Sequence, residues 1–249
     1  MGSSDVSVGD ATAPPCILYV SATGTVDGHT AYPTLQEGID AAGPGDVLCV
    51  ASGSYHEHIA ITRSGAAGSP ITIRGLDPSN HPRVDGEYTL PGGSPGNFGV
   101  GAADCLEVYE DPNANQGPFP RQACFAWGGL VEILGSHVVW DGIDVVRSRG
   151  GGMVVGDFAA TGLAFRDVRL LRTEIAGVRE NGLYVAHSED VAIQELRLHD
   201  AVDYALYDRA AGDINWAGGV YLGGGSQNVE LADSAVYHVV GEAGATAIN

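Results

Sequence analysis

Val138-Val139-Trp140-Asp141-Gly142-Ile143-Asp144-Val145 holds apolar residues at its first, third, sixth and eighth positions and a small or polar pair between them. The same arrangement recurs in Leu163-Ala164-Phe165-Arg166-Asp167-Val168-Arg169-Leu170 and in Val191-Ala192-Ile193-Gln194-Glu195-Leu196-Arg197-Leu198. It recurs again in Val229-Glu230-Leu231-Ala232-Asp233-Ser234-Ala235-Val236, where Ser234 is the one exception. Period-two alternation on both sides of a break describes two short strands joined by a tight bend. Between the blocks a glycine leads a third short strand: Gly152-Met153-Val154-Val155, Gly182-Leu183-Tyr184-Val185 and Gly219-Val220-Tyr221-Leu222. From the end of each such strand to the sixth position of the next block the steps are 13, 11 and 12 residues. Each unit thus has three strands, one near-constant connection and one variable connection. Apolar positions that stack from unit to unit predict an all-β fold, a right-handed parallel β-helix. A β-sandwich would join its strands by hairpin turns, and no alternating pair of that kind stands out.

Toward the N-terminus, residues 33–42 read as a short amphipathic helix with Leu35, Ile39 and Ala42 on one face. A solenoid needs its open core covered, and a helix laid across the first coil does this. Strands are expected over 46–51, 58–62 and 71–74. The domain reading is a flexible leader or processed start over 1–15 and one β-helix domain over 16–249. A lipoprotein start with Met in place of the lipidated Cys, or a tag scar, would give the same residues 1–15. A loop insertion is expected at about 87–129. Residues 244–249 resemble the start of another coil, so the solenoid reads as incomplete at its C-terminus, or as covered there by a partner such as a second copy.

Leu18-Tyr19-Val20, Pro33-Thr34-Leu35-Gln36, residues 41–50, Gly53-Ser54-Tyr55 and Gly68-Ser69-Pro70-Ile71-Thr72-Ile73-Arg74 together resemble the entry region of bacterial β-helix polysaccharide lyases. They are similar to the pectate lyase 9-like and the alginate lyase/chondroitinase B-like groups, over about residues 16–86. The resemblance implies a pectate lyase-like fold. It also implies a substrate groove on the face where loops vary. In those groups the base is a lysine or an arginine, often with Ca2+.

The chain has 249 residues, 31 acidic against 12 basic, for a formal charge of −19. All the basic residues are arginine. The absent lysine excludes a lysine base, a Schiff base and a P-loop lysine. The charge argues against nucleic acid and anionic membranes as partners, and no apolar run reaches the ~20 residues of a membrane span. Residues 145–182 are the exception, with six arginines against four acids. A local positive zone on an acidic chain suits a carboxylate-bearing sugar chain, the expected partner.

The variable connections, 147–151, 173–181 and 200–218, fall at one corner of the coil, and stacking makes them one wall beside the glycine-led strands. The substrate-binding candidates there are Arg147, Arg149, Asn181, Tyr184, Tyr204, Trp216 and Tyr221. Tyr184 and Tyr221 point outward on successive coils, where they either stack on sugar rings or pack loops onto the body. With no lysine, the catalytic candidates are Arg179 or Arg172 as base, with Glu180 beside them. Asp203, Asp208 and Asp213 cluster in one loop, as Ca2+ ligands or as a glycosidase carboxylate pair. Arg169 and Arg197 read instead as exterior arginines pairing with Asp144 and other neighbours. Four cysteines match no zinc spacing. Cys105 and Cys124 flank a loop and are expected to form a disulfide, whereas Cys16 and Cys49 read equally well as a pair or as buried thiols. A disulfide implies an oxidising compartment, so the expected location is secreted or at the cell surface.

Two functions lead on these grounds, with a hydrolase using the Asp203, Asp208 and Asp213 loop as a third. One is a carbohydrate-active protein that binds, and in its enzymatic version cleaves, an acidic polysaccharide by β-elimination. The other is a non-catalytic surface or self-assembling β-helix that stacks end to end.

Overall fold

A computed structural model describes residues 14–86, 129–148, 150–157, 160–178, 181–202 and 218–240. Their strands form three parallel sheets that wind as one solenoid, right-handed as parallel crossovers are. The first sheet stacks β1 (Leu18–Val20), β4 (Val47–Val50), β7 (Ile71–Gly75), β10 (Val138–Asp141), β13 (Phe165–Leu171), β16 (Ser188–Gln194) and β19 (Gln227–Ala232). The second stacks β5 (Ser54–Tyr55), β8 (Arg83–Asp85), β11 (Asp144–Val146), β14 (Glu174–Val178), β17 (Arg197–Val202) and β20 (Ala235–Val240). The third stacks β6 (Ile59–Ile61), β9 (Gly129–Ile133), β12 (Gly151–Val155), β15 (Leu183–Ala186) and β18 (Val220–Gly223). Antiparallel strand pairing among the described residues is confined to a small hairpin of β2 (Thr25–Val26) and β3 (His29–Thr30).

The core is a set of apolar columns. Leu48, Ile73, Trp140, Leu170, Ile193 and Leu231 lie in register down the first sheet. Tyr55, Val84, Val145, Ile175, Leu198 and Val236 do the same down the second. Ile59, Val131, Met153, Leu183 and Val220 line the third. Trp140 is fully buried, and its indole N–H donates to the Ile143 carbonyl at 2.9 Å. Helix α1 (Leu35–Ala41) closes the N-terminal end, with Leu35, Ile39 and Ala42 buried. Thr34 Oγ1 accepts from Glu37 N–H, and the Glu57 carboxylate accepts from Leu35 N–H and Gln36 N–H at 2.8 and 3.0 Å.

The register corrects one sequence reading. Val138 pairs with Val168, and Val168 with Val191. The second block is therefore 168–175, five residues later than the expected 163–170. In register the step from Val155 to Val168 is 13 residues, against 10 from Ile61 to Ile71 and 5 to 7 in the other coils, and this displaced the expected alignment. With the register corrected, the bend places Gly142, Arg172, Glu195 and Asp233 in one left-handed column, φ between 48° and 62°. Two further left-handed columns run through His137, Asp167, Asp190 and Asn228, and through Arg147, Gly177, Asp200 and His238. Ser234 also loses its status as an exception. Its equivalent is Thr173, and both hydroxyls donate to the carbonyl two residues back, at 2.7 and 3.1 Å.

The glycines that lead the third-sheet strands answer to space. A Cβ on Gly152 would lie 2.5 Å from the Gly182 carbonyl oxygen, and one on Gly182 would lie 2.5 Å from Leu198. Cys16 and Cys49 are joined by a disulfide. Cys105, Cys124, the segment 87–128 of the expected insertion and the C-terminal residues 241–249 lie outside the described residues.

Candidate functional site

The connections from the second sheet to the third run from β8 to β9, β11 to β12, β14 to β15 and β17 to β18, all at one corner. Arg149, Arg179, Glu180, Asp203, Tyr204, Asp208, Asp213 and Trp216 lie outside the described residues. The remaining candidates at this corner are engaged with the body. Arg147 grips Asp85, one coil away, through Nε at 2.7 Å from Oδ1 and through Nη2 on Oδ2. Asn181 is 3% exposed, and its carbonyl accepts from Gly152 N–H at 2.9 Å. Tyr184 and Tyr221 do point outward on adjacent coils and stack, centroids 5.1 Å apart at 18°. Tyr184 is only 1% exposed and packs with Val154 and Ala186. Burial, and next the Tyr221 phenol, push its phenol well above the usual tyrosine range. As it stands, Tyr184 offers no face to a sugar.

Arg172 is elsewhere. Its expected place beside the loop wall followed from the misaligned block. The structure puts it in the bend between the first and second sheets, a different corner of the coil. There it reaches over Gly142 to Asp141, with Nη2 at 2.6 Å from both carboxylate oxygens, aligned on Oδ2 and off-axis to Oδ1. Asp141 is 6% exposed. Its carboxyl is held above the usual range by burial, which outweighs the opposing pull of Arg172, Arg74 and His81.

That corner opens into two adjoining grooves of about 410 and 240 Å3, which share Pro78, His81 and Arg172. The outer face of the second sheet forms the floor. One of its columns reads Arg83, Asp144, Glu174, Arg197 in register. Arg197 pairs with Glu174 at 3.4 Å, so the expected exterior pairing is with Glu174 rather than Asp144. Arg169 pairs with Asp167 at 3.5 Å. His81, in the connection from β7 to β8, sits over Gly142 and places Nδ1 3.0 Å from Asp144 Oδ1. The same oxygen accepts from Glu174 N–H at 3.0 Å. Sequence reasoning gave His81, Arg83 and Asp141 no role. The signal available was a polar column recurring on the outward positions of the second-sheet strands, visible once the blocks are set in register.

Other acid–base groupings lie on the third sheet and at the last coils. His58 Nε2 is 3.4 Å from Glu132. His199 contacts Glu174 and Asp200 at 3.4 and 2.8 Å and stacks on Tyr237. Among the described residues no group of three or more His, Cys, Asp or Glu is placed to hold a metal ion, and no helix is long and apolar enough to cross a membrane.

The fold defines the class as a right-handed parallel β-helix. No protein-family model matches the chain, and no curated protein does at a significant level. Among solved structures it is similar to an alginate lyase from Paenibacillus sp. str. FPU-7, at 15% identity and a TM-score of 0.45, covering 86% of this chain and 60% of that one. It is similar to pectate lyase Pel9A at 14% identity and a TM-score of 0.43, covering 89% and 63%. Escherichia coli ybhc gives 11% identity and a TM-score of 0.49, covering 87% and 57%. The chain spans about three fifths of the length of these structures.

Proposed function

We propose that this protein is a carbohydrate-active β-helix that binds an acidic polysaccharide, taking sugar carboxylates in the larger groove at the bend corner. One observation carries the reading. Arg83 is exposed, lines the groove, and among the described residues makes no ion pair, on a chain with a formal charge of −19. Arg147, Arg166, Arg169, Arg172 and Arg197 each have a carboxylate partner. An uncommitted guanidinium in a concavity, with Arg172 and Arg197 on the same walls, is suited to bidentate carboxylate binding. A volume of about 410 Å3 falls in the range of small-ligand sites, roughly 300–1,000 Å3. The Cys16–Cys49 disulfide supports a secreted or cell-surface location. Cleavage by β-elimination is the enzymatic version of the reading. Calcium belongs to it as a ligand of the Asp203, Asp208 and Asp213 loop.

The test is calorimetric titration of the whole chain with galacturonate, guluronate and glucuronate oligomers, against a neutral glucose oligomer. Binding confined to acidic oligomers is expected, weakening with added salt. Arg83→Ala is expected to weaken it at least ~10-fold, the loss of one charged hydrogen-bonding contact. Equal affinity for the neutral oligomer, or no affinity for any acidic one, would overturn the proposal. Repeating the titration in EDTA tests the calcium assignment.

A further inference from the structure

The larger groove holds an oriented imidazole as well as an arginine. His81 Nδ1 lies 3.0 Å from Asp144 Oδ1. A carboxylate is an acceptor, so Nδ1 donates to it, and in the neutral ring Nε2 then presents a lone pair. His81 lines both grooves, and among the described residues Nε2 makes no hydrogen bond. A Cβ on Gly142 would be 3.6 Å from Nε2. Asp144 is itself held, since its Oδ1 also accepts Glu174 N–H at 3.0 Å and its side chain is 11% exposed. A carboxylate fixed by the sheet thus holds a histidine that lines the same groove as an arginine with no acid partner among the described residues.

We infer that His81, oriented by Asp144, is a general base that removes the proton α to a uronate carboxylate held by Arg83. This rests on the acidic-glycan reading above. Arg83 neutralises the carboxylate, which lowers the cost of charge developing at the α-carbon. Nε2 takes the C5 proton. The C5–H electron pair becomes the C4–C5 double bond, and the C4–O glycosidic bond breaks. The imidazolium then returns the proton to the departing oxygen. The products are an unsaturated uronate and a new non-unsaturated end, with no oxidant or metal in the balance. His81 is the catalytic residue and Asp144 a positioning residue. The site lies at the bend corner, away from the loop wall.

The experiment follows ultraviolet absorbance of the conjugated unsaturated uronate, with affinity measured in parallel by calorimetry on the same whole-chain samples. The wild type is expected to form the product. His81→Gln is expected to keep its affinity and its Tm while kcat falls by roughly 10²–10⁴-fold. Asp144→Asn is expected to lower kcat at least ~10-fold with KM unchanged, a split that a purely structural change would not give. Wild-type protein that binds uronate oligomers and yields no unsaturated product would overturn this inference and leave the binding reading standing. Wild-type turnover by His81→Gln would do the same. Absence of binding to every uronate oligomer would overturn both.

Discussion

Asp85 and Arg147 sit one coil apart and form a two-pronged ion pair, with the carboxylate almost buried and the guanidinium half exposed. The pair ties the strand before one loop-corner connection to the start of the next. Arg147 is in left-handed backbone, φ 54°, so its side chain leaves the strand direction and turns back over the preceding coil. Arg147→Ala leaves the Asp85 carboxylate in place without this ion pair. The cost lies between that of an exposed pair and a buried one, about 2 kcal/mol. Chemical denaturation should show this, with Asp85→Asn/Arg147→Ala losing less than Arg147→Ala alone.

The Cys16–Cys49 bridge closes a loop with a sequence separation of 33, spanning the first strand, the hairpin and the capping helix. Chain-entropy reasoning puts its contribution at about 3–4 kcal/mol. Cys16→Ser/Cys49→Ser should therefore lower the denaturation midpoint markedly. Reductant should do the same to the wild type.

Asp233 occupies the exposed end of the bend column at φ 49°. Aspartate tolerates this backbone region, glycine prefers it and a β-branched residue is strained there. Asp233→Gly should be neutral or better, while Asp233→Val should destabilise by about 1–2 kcal/mol. Thermal denaturation of the two variants checks the order.

Tyr55 is buried in the second-sheet core column, and its hydroxyl donates to the Ala51 carbonyl at 2.8 Å. Burial, and next the charge of Glu57, push its phenol up to about 12 from an ordinary 10.0. Between these values the unfolded chain loses this proton while the folded chain keeps it. The stability is thus full below pH 10 and lost progressively as pH rises to about 12. Tyr55→Phe forfeits the hydrogen bond, about 1 kcal/mol, but removes this alkaline slope. The stability gap between wild type and variant should therefore narrow above pH 10, measured by urea denaturation across that range.

Much of the fold was legible because a parallel β-helix writes itself locally. Each strand is short, alternates strictly and repeats, so residues such as Val138, Trp140, Val191 and Ile193 declare their inward face without knowledge of their neighbours. Helix α1 was equally plain from Leu35, Ile39 and Ala42. The candidate site was far less legible. Arg172 was noticed for its charge but set at the wrong corner, because the extended connection over 156–164 offered a plausible alignment five residues early. His81 stands alone in a turn between Asn80 and Pro82, with nothing local to mark it.

The sequence by itself determined the alternation, the three-strand unit, the capping helix and the bias of charge, since these depend on neighbours a few residues apart. Only the tertiary structure decided the register, the pairing of Cys16 with Cys49 and the meeting of His81, Arg83, Asp144 and Arg172 in one groove. These depend on which coil lies against which. Stacking brings residues from 22 (Val131 and Met153) to 72 (Ile59 and Val131) positions apart to within roughly 5 Å, the spacing of neighbouring strands. A shift of five residues in one coil moves each of its side chains onto a different partner.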